Sequence, residues 1–243
     1  MRRSTRKFTF LAVLLSFVLF LQMGCAKTGT SLQKSAVTYL TLINASALSS
    51  NVTVLLNDTA ATVTGGIAAG AYSQIYGQER PGTYDIKFVA AASDSLLTEI
   101  PGFVFDTLNF YTMMVYTVPQ TGAVRAATIQ DDFTTLSSTQ ANYRFFNLCS
   151  THPHVDLYLN GAMAQQGRAT ADNATNFSFD GFQTTTPATY TITAKVAGTD
   201  SVIVSRSNVP LALGNAYTIF LSGIDGSSSN PLLINVLQAS YIY

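Results

Sequence analysis

Two imidazoles and a carboxylate stand close together in His152-Pro153-His154-Val155-Asp156, the only cluster of metal-type ligands in the chain. Imidazole nitrogen and carboxylate oxygen are donors that Zn²⁺ takes in proteins, so metal-dependent chemistry would be sought here. The spacing argues against it. Pro153 holds the two rings apart, and period-two alternation puts Asp156 on the outer face of the strand that follows. His152, His154 and Asp156 are the metal candidates, and the two histidines are expected to be solvated loop residues. Acyl-transfer chemistry finds no better support. With both histidines in one loop, a Ser-His-Asp arrangement would depend on that loop, and no Gly-x-Ser-x-Gly elbow is present. The acids fall mostly at turns, as at Asp131-Asp132 and Asp172, and none is singled out as half of a glycosidase pair. No catalytic residue and no cofactor are expected.

Other reactive or sticky side chains have plainer readings. Cys149 follows Phe145, Phe146 and Leu148 and reads as a small apolar core residue. Tyr84 and Tyr190 read as core tyrosines with bonded hydroxyls. Tyr72, Tyr76, Phe177, Phe179 and Phe182 lie in less regular stretches, where they could stack on sugars or peptides. Packing in a core or between domains is their expected role.

The N-terminus carries an address. Arg2, Arg3, Arg6 and Lys7 precede a 14-residue apolar run, Phe8 to Leu21, broken only by Thr9 and Ser16. A membrane span needs about 20 residues, whereas a secretory signal needs a run of this length. Leu21-Gln22-Met23-Gly24-Cys25 resembles the lipobox of bacterial lipoproteins, with Gln22 where that pattern has Leu. The resemblance implies cleavage before Cys25, a diacylglycerol on its sulfur and a third acyl chain on its amine. Residues 1–24 are then the signal peptide and 25–35 a lipidated tether. Ala26 is not the Asp that retains many lipoproteins at the inner membrane, which points to the outer membrane, on its periplasmic face or the cell surface. Lys27-Thr28-Gly29-Thr30 lacks the acidic run of Bacteroidetes-type surface-export tags.

The elements behind the tether read as strands. The chain is 47% hydrophobic and 11% charged, with 12 Tyr, 15 Phe and no Trp. Few Lys and Glu among many Thr, Tyr and Val favour sheets. Past the signal, nine basic residues face 13 acidic ones, a net charge of −4, which excludes nucleic acid as a partner. With Cys25 acylated, Cys149 has no disulfide partner.

The body repeats itself. Asn44, Val52 and Asn57 recur 103 residues later as Asn147, Val155 and Asn160. Pro81, Thr83, Tyr84 and Ile86 recur 106 residues later as Pro187, Thr189, Tyr190 and Ile192, and Asn109, Tyr111 and Thr112 as Asn215, Tyr217 and Thr218. The first copy has Ser49 and Asn51 at the two His positions. Val155, Leu157 and Leu159 alternate with Asp156 and Tyr158, and Tyr84, Ile86 and Phe88 with Asp85 and Lys87. This is the pattern of antiparallel strands with one face on a core. The expected fold is all-β, with two tandem immunoglobulin-like antiparallel sandwiches over residues 36–135 and 140–243.

Asn147 to Ser150, Pro153, Val155 to Gly161, Pro187 to Tyr190 and Ala216 to Thr218 together resemble the domain of unknown function 4397. That family occurs in tandem in bacterial envelope lipoproteins. It implies a β-sandwich and an envelope location, and no activity. Asp58-Thr59-Ala60, Asp94-Ser95-Leu96, Asp106-Thr107-Leu108 and Asp200-Ser201-Val202 resemble the O-glycosylation tripeptide of Bacteroidetes envelope proteins, although Asp-Ser and Asp-Thr also make turns. The functional expectation is a non-enzymatic protein held to the membrane by lipid on Cys25, in contact with an envelope protein or a glycan. The alternative is an envelope hydrolase or metal-dependent enzyme built on the His152/His154 loop.

Overall fold

A computed structural model describes residues 36–48, 50–61, 65–73 and 76–239. The signal, the tether and Cys25 lie outside these residues. Among the described residues there is no α-helix. The first half contains β1 (Thr38–Ala45), β2 (Val52–Leu56), β3 (Thr59–Ala60), β4 (Ala71–Tyr72), β5 (Gly77–Glu79), β6 (Gly82–Ala90), β7 (Leu96–Phe105), β8 (Phe110–Thr117) and β9 (Val124–Asp131). The second contains β10 (Ala141–Asn147), β11 (His154–Leu159), β12 (Ala162–Ala169), β13 (Gln183–Thr185), β14 (Ala188–Val196), β15 (Val202–Leu211), β16 (Ala216–Ser222) and β17 (Leu233–Ala239). Two 3₁₀ turns, Asp172–Ala174 and Phe177–Phe179, sit between β12 and β13.

Four sheets result, two from each half. Their orders are β4-β1-β8-β9 (with β5 also on β1) and β3-β2-β6-β7, then β13-β10-β16-β17 and β12-β11-β14-β15. The all-β sandwich expectation holds, and the order repeats as the sequence does. The pairing is not antiparallel throughout: β1 runs parallel to β8, and β10 to β16. A parallel pair needs a long crossover, and the strands between β1 and β8 supply it. β1 and β2 lie in different sheets, whereas an immunoglobulin constant-type sandwich keeps its first two strands in one.

The repeated residues lock this order twice over. Asn57 and Asn160 take left-handed backbone, at φ 47° and 50°, which Asn tolerates better than most residues. Their Oδ1 atoms accept from Asp85 N (2.9 Å) and Thr191 N (2.7 Å), tying each turn to the neighbouring strand. The Tyr84 hydroxyl donates to Arg80 O at 2.9 Å and the Tyr190 hydroxyl to Thr186 O at 2.6 Å. The Tyr111 hydroxyl accepts from Asp106 N and that of Tyr217 from Ala212 N. The paired tyrosines are thus structural.

Each half encloses its own core. Leu42, Val54, Ile86 and Phe88 lie in the first, and Phe145, Leu157, Ile192 and Ile219 in the second. The expectation of one buried face per strand fails for β1, β8, β10 and β16. Every residue of β10 and β16 is buried. The reason is a third apolar layer. Ile43, Ala45, Met114 and Ile129 from the first half pack on Phe146, Leu148 and Phe220 from the second. The two inner sheets therefore stack back to back.

Asn160→Ala is expected to lose the turn anchor and to strain the left-handed position, at a cost of about 2 kcal/mol. Asn57→Ala should cost a similar amount. Urea unfolding with an unchanged m-value would check both.

Candidate functional site

The structure separates the metal candidates. His154 is exposed at the start of β11, and His152 is half-buried with its Nε2 3.6 Å from Asp225 Oδ2. Asp156 is fully buried, which corrects the expectation of an open outer-face carboxylate. Its Oδ1 accepts from Gly167 N at 2.6 Å and its Oδ2 from Gly198 N at 2.9 Å. The irregular register of β12 and the β14–β15 turn bring those amides over the sheet face. Among the described residues no group of three or more His, Cys, Asp and Glu is placed to hold a metal ion. Cys149 is buried, with Sγ 3.5 Å from Gly223 O. It packs among the core residues of the second half, as its neighbours implied.

The densest polar chemistry lies elsewhere, between the two halves. Arg144, on β10, is 1% exposed. Its Nη1 lies 2.6 Å from Asp131 Oδ1 at the end of β9. Nε donates to Thr218 Oγ1 (2.8 Å), Nη2 to Thr112 Oγ1 (3.0 Å) and Nη1 to the main-chain oxygen of Asp180 (3.2 Å). The Thr112 hydroxyl donates to Asp131 Oδ2 at 2.7 Å, and the Tyr76 hydroxyl donates to the same oxygen at 2.6 Å. The guanidinium also lies over the rings of Phe146 and Phe182. Asp131, read from the sequence as an acid at a turn, is instead the buried last residue of β9. Burial, then the Asp131 charge, pushes the Tyr76 hydroxyl well above the ordinary tyrosine range, so it stays a donor.

A second cation lies beneath the 3₁₀ turns. Arg168 makes a two-pronged contact with Asp172, with both N···O distances 2.7 Å, and bonds Gln165 Oε1. Its guanidinium lies 4.1 Å from the centre of the Phe179 ring. Asp180, just beyond, has an Oδ1 that is buried without a hydrogen-bond partner. Burial pushes its carboxyl up to about 6, against the opposing pull of Arg144.

The aromatic candidates divide. Tyr76 and Phe182 pack edge-on or tilted on Phe133 at the junction. Tyr72 lies edge-on to Phe220 and donates to Val236 O, so it also joins the halves. Phe177 is the most exposed of the five at 82%, and Tyr72 keeps 39% of its surface open. All four Asp-Ser/Thr tripeptides are exposed; Asp106-Thr107-Leu108 lies wholly between strands, the other three run from a turn into β3, β7 or β15, and Asp58 and Asp94 take left-handed backbone. Sequence reasoning missed Arg144 and Asp180. The available signal was a lone Arg inside Tyr143-Arg144-Phe145-Phe146, flanked by residues that all read as core.

Arg144→Met leaves Asp131 buried and unpaired, and is expected to cost about 3–5 kcal/mol. Changing Asp131→Leu in the same chain should recover much of that loss in urea unfolding. Asp180 binds its proton more tightly folded than unfolded. The stability it contributes is therefore complete below its unfolded value of about 4 and is lost as pH rises through about 6. Asp180→Asn is expected to flatten the decline in melting temperature between about pH 5 and about pH 7.5.

No curated protein matches the chain. Residues 38–158, from the first residue of β1 into β11, match the family model described as Domain of unknown function (DUF4397), and it is to this family that this stretch is similar.

Proposed function

We propose that the protein is a lipid-anchored component of the bacterial outer membrane, with a non-catalytic body of two tandem DUF4397-like sandwiches that contacts a protein or a glycan. One observation carries the non-catalytic part. Three carboxylates of the described body are committed to holding it together: Asp156 to two backbone amides, Asp131 to Arg144, and Asp172 to Arg168. A catalytic carboxylate needs an open side toward substrate, and the buried Asp131 and Asp156 have none. The repeated strand order of residues 141–239 supports reading the second half as a second copy. The leader and Gly24-Cys25 support the anchor, and two or three acyl chains give durable attachment at about 0.8 kcal/mol per buried methylene.

Cys25→Ala is expected to abolish acylation and leave the protein unprocessed or in the soluble fraction. Intact-mass measurement and membrane fractionation would read this, and an unacylated residue 25 in the native protein would remove the anchor. Metal analysis of the purified protein tests the enzymatic alternative. Stoichiometric zinc that is lost in the His152→Ala/His154→Ala chain would overturn the non-catalytic reading. A glycan array and pull-down from envelope extract address the binding role, which fails if both are blank.

A further inference from the structure

The two halves share a fold and differ in how fully it is filled. In strand pairing Leu40 lies opposite Tyr111 and Leu42 opposite Met113; in the second half Tyr143 lies opposite Tyr217 and Phe145 opposite Ile219. Leu40 and Leu42 thus stand where the second half has Tyr143 and Phe145, both buried in its core. The flank differs as well. β3 has two residues, whereas its counterpart β12 has eight. Beside these two smaller side chains the described residues line a cleft of about 420 Å³ at the edge of the first sandwich. That is within the usual range for small-molecule sites.

The walls of the cleft have a definite chemistry. Its apolar side is made by Leu40, Leu42, Ile67 and Met113, which belong to the first core. The facing side is kept thin by Ala61, Gly66, Ala68 and Ala71. At Gly66 the backbone is left-handed (φ +68°), and an added Cβ would lie 2.8 Å from Val52 O, so that wall has no room for a side chain. At the rim, Gln78 and Glu79 supply the polar groups on β5. Glu79 is the only carboxylate or ammonium group among the described lining residues. One of its oxygens accepts from Arg80 N at 2.9 Å, and no cation among the described residues forms an ion pair with it.

An apolar slot closed by a single unneutralised carboxylate selects for a ligand with an apolar body and a cationic end. We infer that this cleft binds small amphiphilic amines, with the alkyl or aryl part between Leu42 and Ala71 and the ammonium at Glu79. The inference deepens the binding part of the proposed function and is independent of the anchor. It also fits the asymmetry between the halves: the second half has the aromatic rings of Tyr143 and Phe145 at the same place.

The test uses the full-length protein with hexylamine, hexanol and hexanoate as probes, read by thermal shift and by methyl chemical shifts in NMR. Hexylamine is expected to bind saturably, at least about tenfold tighter than hexanoate, which corresponds to about 1.4 kcal/mol. Leu42→Phe, which installs the second half's residue, should fold and abolish binding. Should that chain not fold, Glu79→Gln decides: it should bind hexanol as before and lose the preference for amine over carboxylate. Binding of none of the probes, or equal binding of amine and carboxylate by the unaltered protein, would overturn the inference. So would a folded Leu42→Phe chain that still binds. A blank here with a positive envelope pull-down removes the cleft and leaves the wider binding role standing.

Discussion

A guanidinium buried between two stacked sheets sets the terms for the rest of the body. Removing Arg144 and Asp131 from water carries a desolvation penalty of several kcal/mol per ion, which their mutual attraction offsets only if the remaining donors and acceptors are also satisfied. Here they are. Thr218, Thr112 and the Asp180 carbonyl take guanidinium protons, while Tyr76 and Thr112 donate to the carboxylate. Thr112, Tyr76 and Asp131 come from one half, and Arg144, Thr218 and Asp180 from the other. The network is complete in only one docking position, whereas the apolar contacts of Ile43, Met114, Phe146 and Phe220 would tolerate sliding. Buried ionic groups are used in some proteins to fix register in this way, and this junction has the geometry for that role.

The repeated strand order accounts for which residues recur. Asn57 and Asn160, Tyr84 and Tyr190, and Tyr111 and Tyr217 make the same bonds in both halves. They hold turns and corners that any copy of the fold needs. Residues that differ between the copies do what only one copy does. Arg144 occupies the pairing position of Thr41, so one copy supplies the cation to an interface that the other completes with Asp131. Leu40 and Leu42 against Tyr143 and Phe145 are a second asymmetry, and it decides which core is left open. The 3₁₀ segment after β12 is a third, bringing Asp180 and Phe182 to the junction.

Much of this was legible in the residues. Period-two alternation in β6, β11 and β14, turn pairs such as Asn160-Gly161, and a repeat that holds register over about 100 residues lead to two similar all-β halves. The repeated tyrosines were readable as structural because a buried hydroxyl needs a partner close by. Asp156 was misread because alternation reports which face a side chain leaves from, and not whether another loop later covers that face. Gly167 and Gly198 cover it from 11 and 42 residues away.

By itself, the sequence determined the class of fold, the repeat of pattern along the chain and the local locks, since each depends on the chemistry of neighbours or on a pattern that recurs. Only the tertiary structure decided that β1, β8, β10 and β16 are buried on both faces, that Arg144 meets Asp131, and that one core keeps a cleft. Those outcomes depend on which surfaces meet after the strands have formed. An Arg in an apolar strand is consistent with many partners, and the difference between Leu42 and Phe145 becomes a cavity only once the walls around it are in place.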